Sequence, residues 1–319
     1  MTIYPWGSES RYYDYRTYVQ KMFGERAQKV SVDAGFTCPN RDGNKGFGGC
    51  AFCNNSTFNP DYCDAQISVT HQIETGLNFF SKYKANRFFA YFQAYSNTYG
   101  ETQHILNLYK EALSHPSISG IVIGTRPDCI SDELLIALAD ISKTHYVAIE
   151  LGAESCYDKT LDAINRGHSW QECVDTTYRI AQYNIPIGLH LIMGLPGETY
   201  EEQLSEASII SHLPITFLKL HQLQIVRGSA FADIYSHTPE YFSLWTADEY
   251  IEFCIDFTER LSPHIVIERF ISQAPRDMVI APSWDIKNFE FVHKIERRLK
   301  ERNTWQGRLY KTTCQRENI

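Results

Sequence analysis

No stretch of this sequence stays apolar for eighteen residues, so nothing in it is long enough to cross a bilayer as a helix. The opening MTIYPWGSESRYYDYRTY lacks the apolar run of a secretory leader, which sets the expectation of a chain that remains in the cytoplasm. A disulfide framework is missing as well. Nine cysteines are an odd number, and five of them stand well apart from their neighbours. No Gly-, Ser- or Pro-rich linker, low-complexity tract or exact short repeat divides the chain. Positive charge is also scarce, since 30 Lys and Arg face 38 Asp and Glu for a formal net charge of −8. That balance excludes a surface that grips phosphates everywhere and leaves room for a local basic patch.

What is present is ordinary for a globular protein: 319 residues, 43% hydrophobic and 21% charged. Such a length suits one domain best if that domain is a barrel. Apolar runs recur at 28–35, 87–95, 119–125, 146–152, 185–194 and 216–226, with a weaker seventh at 264–270. They are continuous rather than alternating, as buried parallel strands are. Between them, SVTHQIETGLNFFSKY, TQHILNLYKEALS, DELLIALADIS and ECVDTTYRIAQYN place apolar residues at three- and four-residue spacings, the helical pattern. Thr199 with Glu202, and Thr246 with Glu249, have the capping-box spacing that opens a helix. Strand–helix alternation of this kind predicts an α/β fold, a complete or partial (β/α) barrel over residues 27–286. Residues 1–26 form an N-terminal extension rich in Tyr and Arg with no period. Residues 287–319 form a C-terminal extension: one charged helix and a tail, with Lys287, Lys294, Arg297, Arg298, Lys300, Arg302, Arg308 and Lys311.

The most distinctive segment is the cysteine loop. Eleven residues separate Cys38 from Cys50, and two separate Cys50 from Cys53. The loop follows the first predicted strand, and active sites of barrels lie at strand C-terminal ends. Gly43, Gly46, Gly48 and Gly49 let it fold back on itself. Three thiolates from one loop suit an iron–sulfur cube with one iron free of protein ligands. The rival is a structural zinc site with Cys63, separated from Cys53 by nine residues, as fourth ligand.

The segments FTCPNRDGNKGFGGCAFCN, FFAYFQAYSNTY, GTRPD, ELGAES, INRGH, HLIMGLPGE and LKLHQLQIVRGS occur in this order between about residues 20 and 285. Together they closely resemble the radical S-adenosylmethionine (SAM) superfamily, and within it the YhcC/YtqA family. That family is related to the radical domains of the Elongator catalytic subunit and of oxygen-independent coproporphyrinogen dehydrogenase. The resemblance implies that Cys38, Cys50 and Cys53 ligate three irons of a 4Fe-4S cluster, with SAM chelating the fourth. It places Phe52 beside the adenine. Gln93 stands where relatives carry a Gly-Gly-Glu-type motif for the SAM amino group, and the carboxylate is absent here. Thr125 falls at a polar SAM contact, followed by Arg126 and Asp128, which also read as a local salt bridge. Glu154 replaces a glutamine that touches the ribose, and Arg166 resembles the arginine that pairs with the SAM carboxylate. His190 takes a ribose-facing position, and Gly194 lets backbone approach the adenine. Glu150, on an apolar strand, is either a cofactor contact or a buried ion-pair partner. Lys219 and His221, two apart and so on one face of a strand, are the candidates for substrate contact or proton transfer.

The same resemblance implies reductive cleavage of SAM to a 5′-deoxyadenosyl radical, fed by a one-electron donor such as flavodoxin or ferredoxin. Some relatives are linked to tailoring of the tRNA wobble uridine, which makes a tRNA nucleoside the leading substrate. The basic C-terminal helix and the Tyr/Arg-rich N-terminus then offer phosphate contacts and stacking, or else simply pack on the barrel. A small metabolite is the rival substrate, and a non-catalytic zinc protein the rival of another class.

Overall fold

Ten α-helices and nine strands follow one another in the described residues, 2–57, 59–82 and 85–311 of the computed structural model. Tyr83, at the end of the expected second helix, and positions 312–319 of the C-terminal extension lie outside the described residues. In chain order the elements are α1 (Tyr15–Phe23), β1 (Ala27–Val32), α2 (Val69–Phe79), β2 (Arg87–Phe92), α3 (Thr102–Ser114), β3 (Ile118–Thr125), α4 (Asp132–Ile141) and β4 (Tyr146–Glu154). There follow α5 (Asp158–Ala163), α6 (Trp170–Ala181), β5 (Ile187–Met193), α7 (Tyr200–Ile210), β6 (Phe217–Gln222), β7 (Ile225–Val226) and α8 (Ala230–His237). The chain closes with α9 (Ala247–Arg260), β8 (Val266–Arg269), β9 (Val279–Ala281) and α10 (Asn288–Glu301). Both expected capping boxes form, at Thr199–Glu202 and Thr246–Glu249.

Seven strands make one sheet in the order β1-β2-β3-β4-β5-β6-β8, every pair parallel. A flat sheet would hold its edge strands about 29 Å apart, six spacings of about 4.8 Å. Yet Lys29 on β1 meets Glu268 on β8 at 2.6 Å, so the sheet curls until its edges face each other. No ladder joins those edges, and the barrel is therefore partial. The chain just before α1 covers part of the open edge: Asp14 bridges Ile267, and the Ile267 amide donates to the Tyr13 carbonyl at 2.8 Å. Covering an exposed edge in this way blocks pairing with another chain.

The two faces of the sheet differ in chemistry. Outward side chains such as Val32, Ile123, Ile149, Leu189 and Leu218 pack under the helices in the main core. Inward positions form tiers. At the bottom, Phe89, Val122, Ala148, Phe217 and Val266 join Tyr18 and Val19 of α1 in an apolar plug. The next tier is ionic, and the tier at the strand C-terminal ends is a cavity.

Three expectations need correction. Residues 1–26 are not aperiodic throughout, because α1 lies there, capped by the Asp14 side chain on the Thr17 amide and by Gly24 at φ 72°. Its apolar face is made mainly of tyrosines, which hid the period. The apolar runs 87–95 and 216–226 are not single strands, since β2 stops at Phe92 and β6 at Gln222. Beyond the latter, β7 pairs antiparallel with β9 in a separate two-stranded sheet. The C-terminal helix α10 buries Phe291, Ile295 and Leu299 in the main core. Its basic face is partly tied down: Arg298 pairs with Glu252 at 2.5 Å, and Arg302 with Asp256 at 2.6 Å, both on α9. In the N-terminal arm, Trp6 is buried and stacks with Tyr4 and Tyr13, while Arg11 donates to the Thr304 carbonyl. Arg297 of α10, in contrast, is exposed and pairs with Glu301 of its own helix, so part of that basic face meets solvent.

Candidate active site

The tightly turned segment after β1 begins the site. Amides of Arg41 and Asp42 fold back onto the Cys38 carbonyl at 2.8 and 3.3 Å. The buried Asn40 amide then ties the loop to the connection after α5, donating to the carbonyls of Asn165 (2.6 Å) and Arg166 (2.8 Å). This brings Cys38, Cys50 and Cys53 to one wall of a cavity of about 1190 Å³, including open solvent at its mouth. Among the described residues, no three His, Cys, Asp or Glu side chains converge as they would on a single metal ion. The three thiols all line the cavity, and basic groups face two of them. Arg166 Nη1 donates to Cys50 Sγ at 3.4 Å, and Arg41 Nη2 to Cys53 Sγ at 3.8 Å. Burial, and next the neighbouring Cys50, push the Cys53 thiol up to about 11, against the pull of Arg41. Cys63 is elsewhere. Its thiol donates to the Ser31 carbonyl at 3.3 Å and it does not line the cavity, so the four-cysteine set does not assemble.

Phe52, Gln93, Thr125, Glu150, Glu154, Arg166, His190 and His221 all line the same cavity. Phe52 also packs against a separate apolar cluster that includes Leu195 and Phe231. The Thr125 hydroxyl shares a hydrogen bond with Thr98 at 2.7 Å. Glu154 closes β4 at a register shift and at φ 70°, a backbone state uncommon for a glutamate. The kink sets its carboxylate 3.3 Å from Arg166, while burial raises its pKa. Gly152 leaves room for the pair: a Cβ would stand 2.5 Å from the Glu154 carboxylate and 2.6 Å from Arg166 Nη2, so one of the two side chains would have to move. All three Arg166 nitrogens are engaged, by His168, Cys50 and the Gly152 carbonyl. Three of its five N–H groups are used in this way, so Nη1 and Nη2 each keep one more donor.

Two expected site residues lie elsewhere. Gly194, at φ 90°, donates its amide to Gln203 and does not line the cavity. Lys219 is only 1% exposed and sits beneath the floor, so it does not present itself to a substrate. It belongs to the ionic tier, where Glu150 is the hub. One Glu150 oxygen accepts from Lys29 at 2.7 Å. The other accepts from Lys219 (2.5 Å) and the Tyr91 hydroxyl (2.7 Å), with His190 at 3.1 Å. Glu268 joins Lys29 at 2.6 Å and Lys219 at 3.2 Å. Burial opposes the Glu150 charge, but Lys219 and Lys29 outweigh it and hold the pKa far below normal. The same burial drops Lys219 to about 8, with both glutamates resisting. Glu150 is thus the buried ion-pair partner. Arg126 and Asp128 likewise form the local salt bridge, two contacts of 2.9 Å.

Lys29, Tyr91, Glu268, Asn40 and Arg41 escaped the sequence reading. The first three had a usable signal, since they share the inward phase of their strands with Glu150 and Lys219. Arg41, in a loop, had none.

The histidines here make stability depend on pH. Burial, reinforced by Lys219, lowers His190 to about 4. Burial and Arg166 lower His168 to about 3, and burial with Arg269 takes His221 well below normal. All three are neutral in the fold, whereas in the unfolded chain they protonate below about 6.5. The unfolded state therefore binds more protons as pH falls, and stability is lost from about pH 6.5 toward 4. Each unit should cost on the order of 1 kcal/mol per histidine. Urea midpoints should fall steadily from pH 7 to pH 5; a flat profile would mean these rings are not held neutral.

The profile described as "Radical SAM superfamily" matches residues 38–206, more than half the chain. This chain belongs to the radical SAM superfamily. The "Radical_SAM C-terminal domain" profile follows over residues 215–301, so the two matched regions share the one curled sheet. Protein YhcC of Escherichia coli K12 is 33% identical over 290 residues, covering 88% of this chain and 90% of that protein. The structure of Methanocaldococcus infernus Elp3 lacking residues 1–46 superposes with a TM-score of 0.65 at 14% identity. It covers 88% of this chain, which spans 64% of that one, and the likeness is one of fold. A tRNA uridine(34) acetyltransferase of the same organism is 29% identical over 91 residues, 28% of this chain and 16% of that protein. As a radical SAM enzyme, the protein has a 4Fe-4S cluster and SAM as its cofactors. Among the described residues, no helix is long and apolar enough to cross a membrane.

Proposed function

We propose that Cys38, Cys50 and Cys53 ligate the cluster, that SAM lies in the cavity beside them, and that a tRNA nucleoside is the substrate. The observation that carries the first two parts is the shared cavity. Three thiols from one loop, and the side chains expected around SAM from β2 to β6, line a single space at the strand C-terminal ends. The donor set fits the group: soft thiol ligands on one wall, flanked by guanidinium donors suited to a cluster of net negative charge. Held by Cys38, Cys50 and Cys53 and fed by a flavodoxin- or ferredoxin-type donor, the cluster with SAM would supply one-electron reductive carbon–sulfur cleavage.

The chain's own residues do the rest. The Glu154–Arg166 pair fixes a polar wall facing the thiols, and Phe52 adds an apolar edge. The saturated ionic tier and the plug below it seal the cavity floor against water, which protects reactive intermediates. His190 and His221 are held neutral, so they offer a ring nitrogen without a charge. Among the described residues, His221 Nε2 has no hydrogen-bond partner and is buried, an open position for a polar group of SAM or substrate.

For the substrate, the support is the similarity of one segment to a tRNA uridine(34) acetyltransferase. The RNA nucleoside then enters the site through the cavity mouth. Reduced, reconstituted protein should release 5′-deoxyadenosine from SAM, slowly without substrate. Cells lacking the protein should lose one modified tRNA nucleoside. A wild-type nucleoside profile would transfer the reading to a small metabolite, with SAM cleavage retained.

A further inference from the structure

Arg41 is built into the cysteine loop with more structural support than a loop arginine needs. Its Nη2 donates both to the Cys53 carbonyl at 3.2 Å and to Cys53 Sγ at 3.8 Å. Two unusual backbone positions hold the guanidinium there. Gly49 lies at φ 85°, and a Cβ on it would stand 3.0–3.2 Å from the Arg41 guanidinium atoms. The positive φ favours glycine there, and a Cβ would push the guanidinium outward by a few tenths of an ångström. On the other side, the Tyr95 ring is 5.8 Å from the guanidinium carbon, within cation–π range. Tyr95 has φ 60°, a left-handed state unfavourable for a tyrosine, and its amide is held by Asn55 Oδ1 at 3.1 Å. Backbone strain on one side and a missing side chain on the other seat a single cation over one thiol. By contrast, neighbouring Lys45 is drawn away to Asp128 at 2.7 Å, so Arg41 is the cation committed to Cys53.

We infer that Arg41 is a positioning residue that sets the reduction potential of the cluster through Cys53, favouring the reduced state. This rests on the reading that the three thiols ligate a cluster. Reduction adds negative charge to the cluster and its sulfurs, and a charge-assisted donor on a ligand sulfur stabilises the more negative state. Such outer partners tune a metal site as surely as its ligands do.

The experiment is an EPR-monitored redox titration of anaerobically reconstituted protein, with iron counted first. Arg41→Met should retain its iron and titrate at a lower potential. At a fixed poise the reduced-to-oxidised ratio should fall about tenfold, about 59 mV for one electron. Arg41→Gln, which keeps a donor and loses the charge, should fall in between. Tyr95→Leu, which frees the guanidinium but leaves it present, should move the potential the same way by less. An unmoved potential in Arg41→Met with full iron overturns the inference. If that variant loses its iron, Arg41→Gln decides: a downward shift supports the inference, and a wild-type potential overturns it. Failure of the wild-type protein to take up a cluster would instead strike at the cysteine assignment itself, a different result.

Discussion

Anaerobic reconstitution should load the wild-type protein with about four irons, and Cys38→Ala, Cys50→Ala and Cys53→Ala should each lose most of them. The expectation follows from the wall of the cavity, where these three thiols stand together on one loop and have no disulfide partner. A cube held by three protein thiolates has no spare protein ligand, so deleting one leaves two irons open to solvent. Cys63→Ala should keep its iron, because that thiol is bonded to the Ser31 carbonyl outside the cavity. Full iron in any of the first three variants removes that residue from the ligand set. One zinc per chain with no bound iron would support the structural-metal alternative.

Glu150→Ala should destabilise the protein by about 3–5 kcal/mol, the cost of breaking a buried ion pair from one side. The substitution leaves Lys29, Lys219, Tyr91 and His190 facing a void where a carboxylate stood. Lys219 has Glu268 left at 3.2 Å, and Lys29 has it at 2.6 Å, so one carboxylate would serve two buried ammonium groups. Equilibrium urea unfolding at pH 7 measures the loss. A double variant, Glu150→Leu with Lys219→Met, should recover a good part of it, because an apolar replacement of both partners removes the desolvation penalty along with the attraction. Glu150→Ala within about 1 kcal/mol of wild type would show that the tier is too well hydrated to act as a sealed floor.

Local pattern carried most of the strands and the cysteine loop. Continuous apolar runs mark parallel strands because both faces of such a strand are covered, and that property is written in consecutive residues. The placement of Thr125 and Glu154 around the cavity was legible for a related reason. Thr125 and Glu154 each close a strand, and in this fold those ends meet at one mouth, whereas Arg166, beyond α5, was legible only through the family resemblance. Runs that extended past a strand, as at 87–95, misled because apolar residues lining a cavity look like apolar residues in a strand.

Partnership was beyond the sequence. Lys29 and Glu268 are 239 positions apart and meet only because the sheet curls. No local feature tells that a lysine on β6 lies below the floor, or that Arg298 and Arg302 face acids on α9. Charge composition counts groups, whereas function depends on which are already paired, and pairing is settled when distant strands and helices close on one another. Arg41 shows the same limit. Its role depends on a glycine eight residues away and a tyrosine fifty-four residues away being brought to either side of one guanidinium, a geometry that only the folded chain creates.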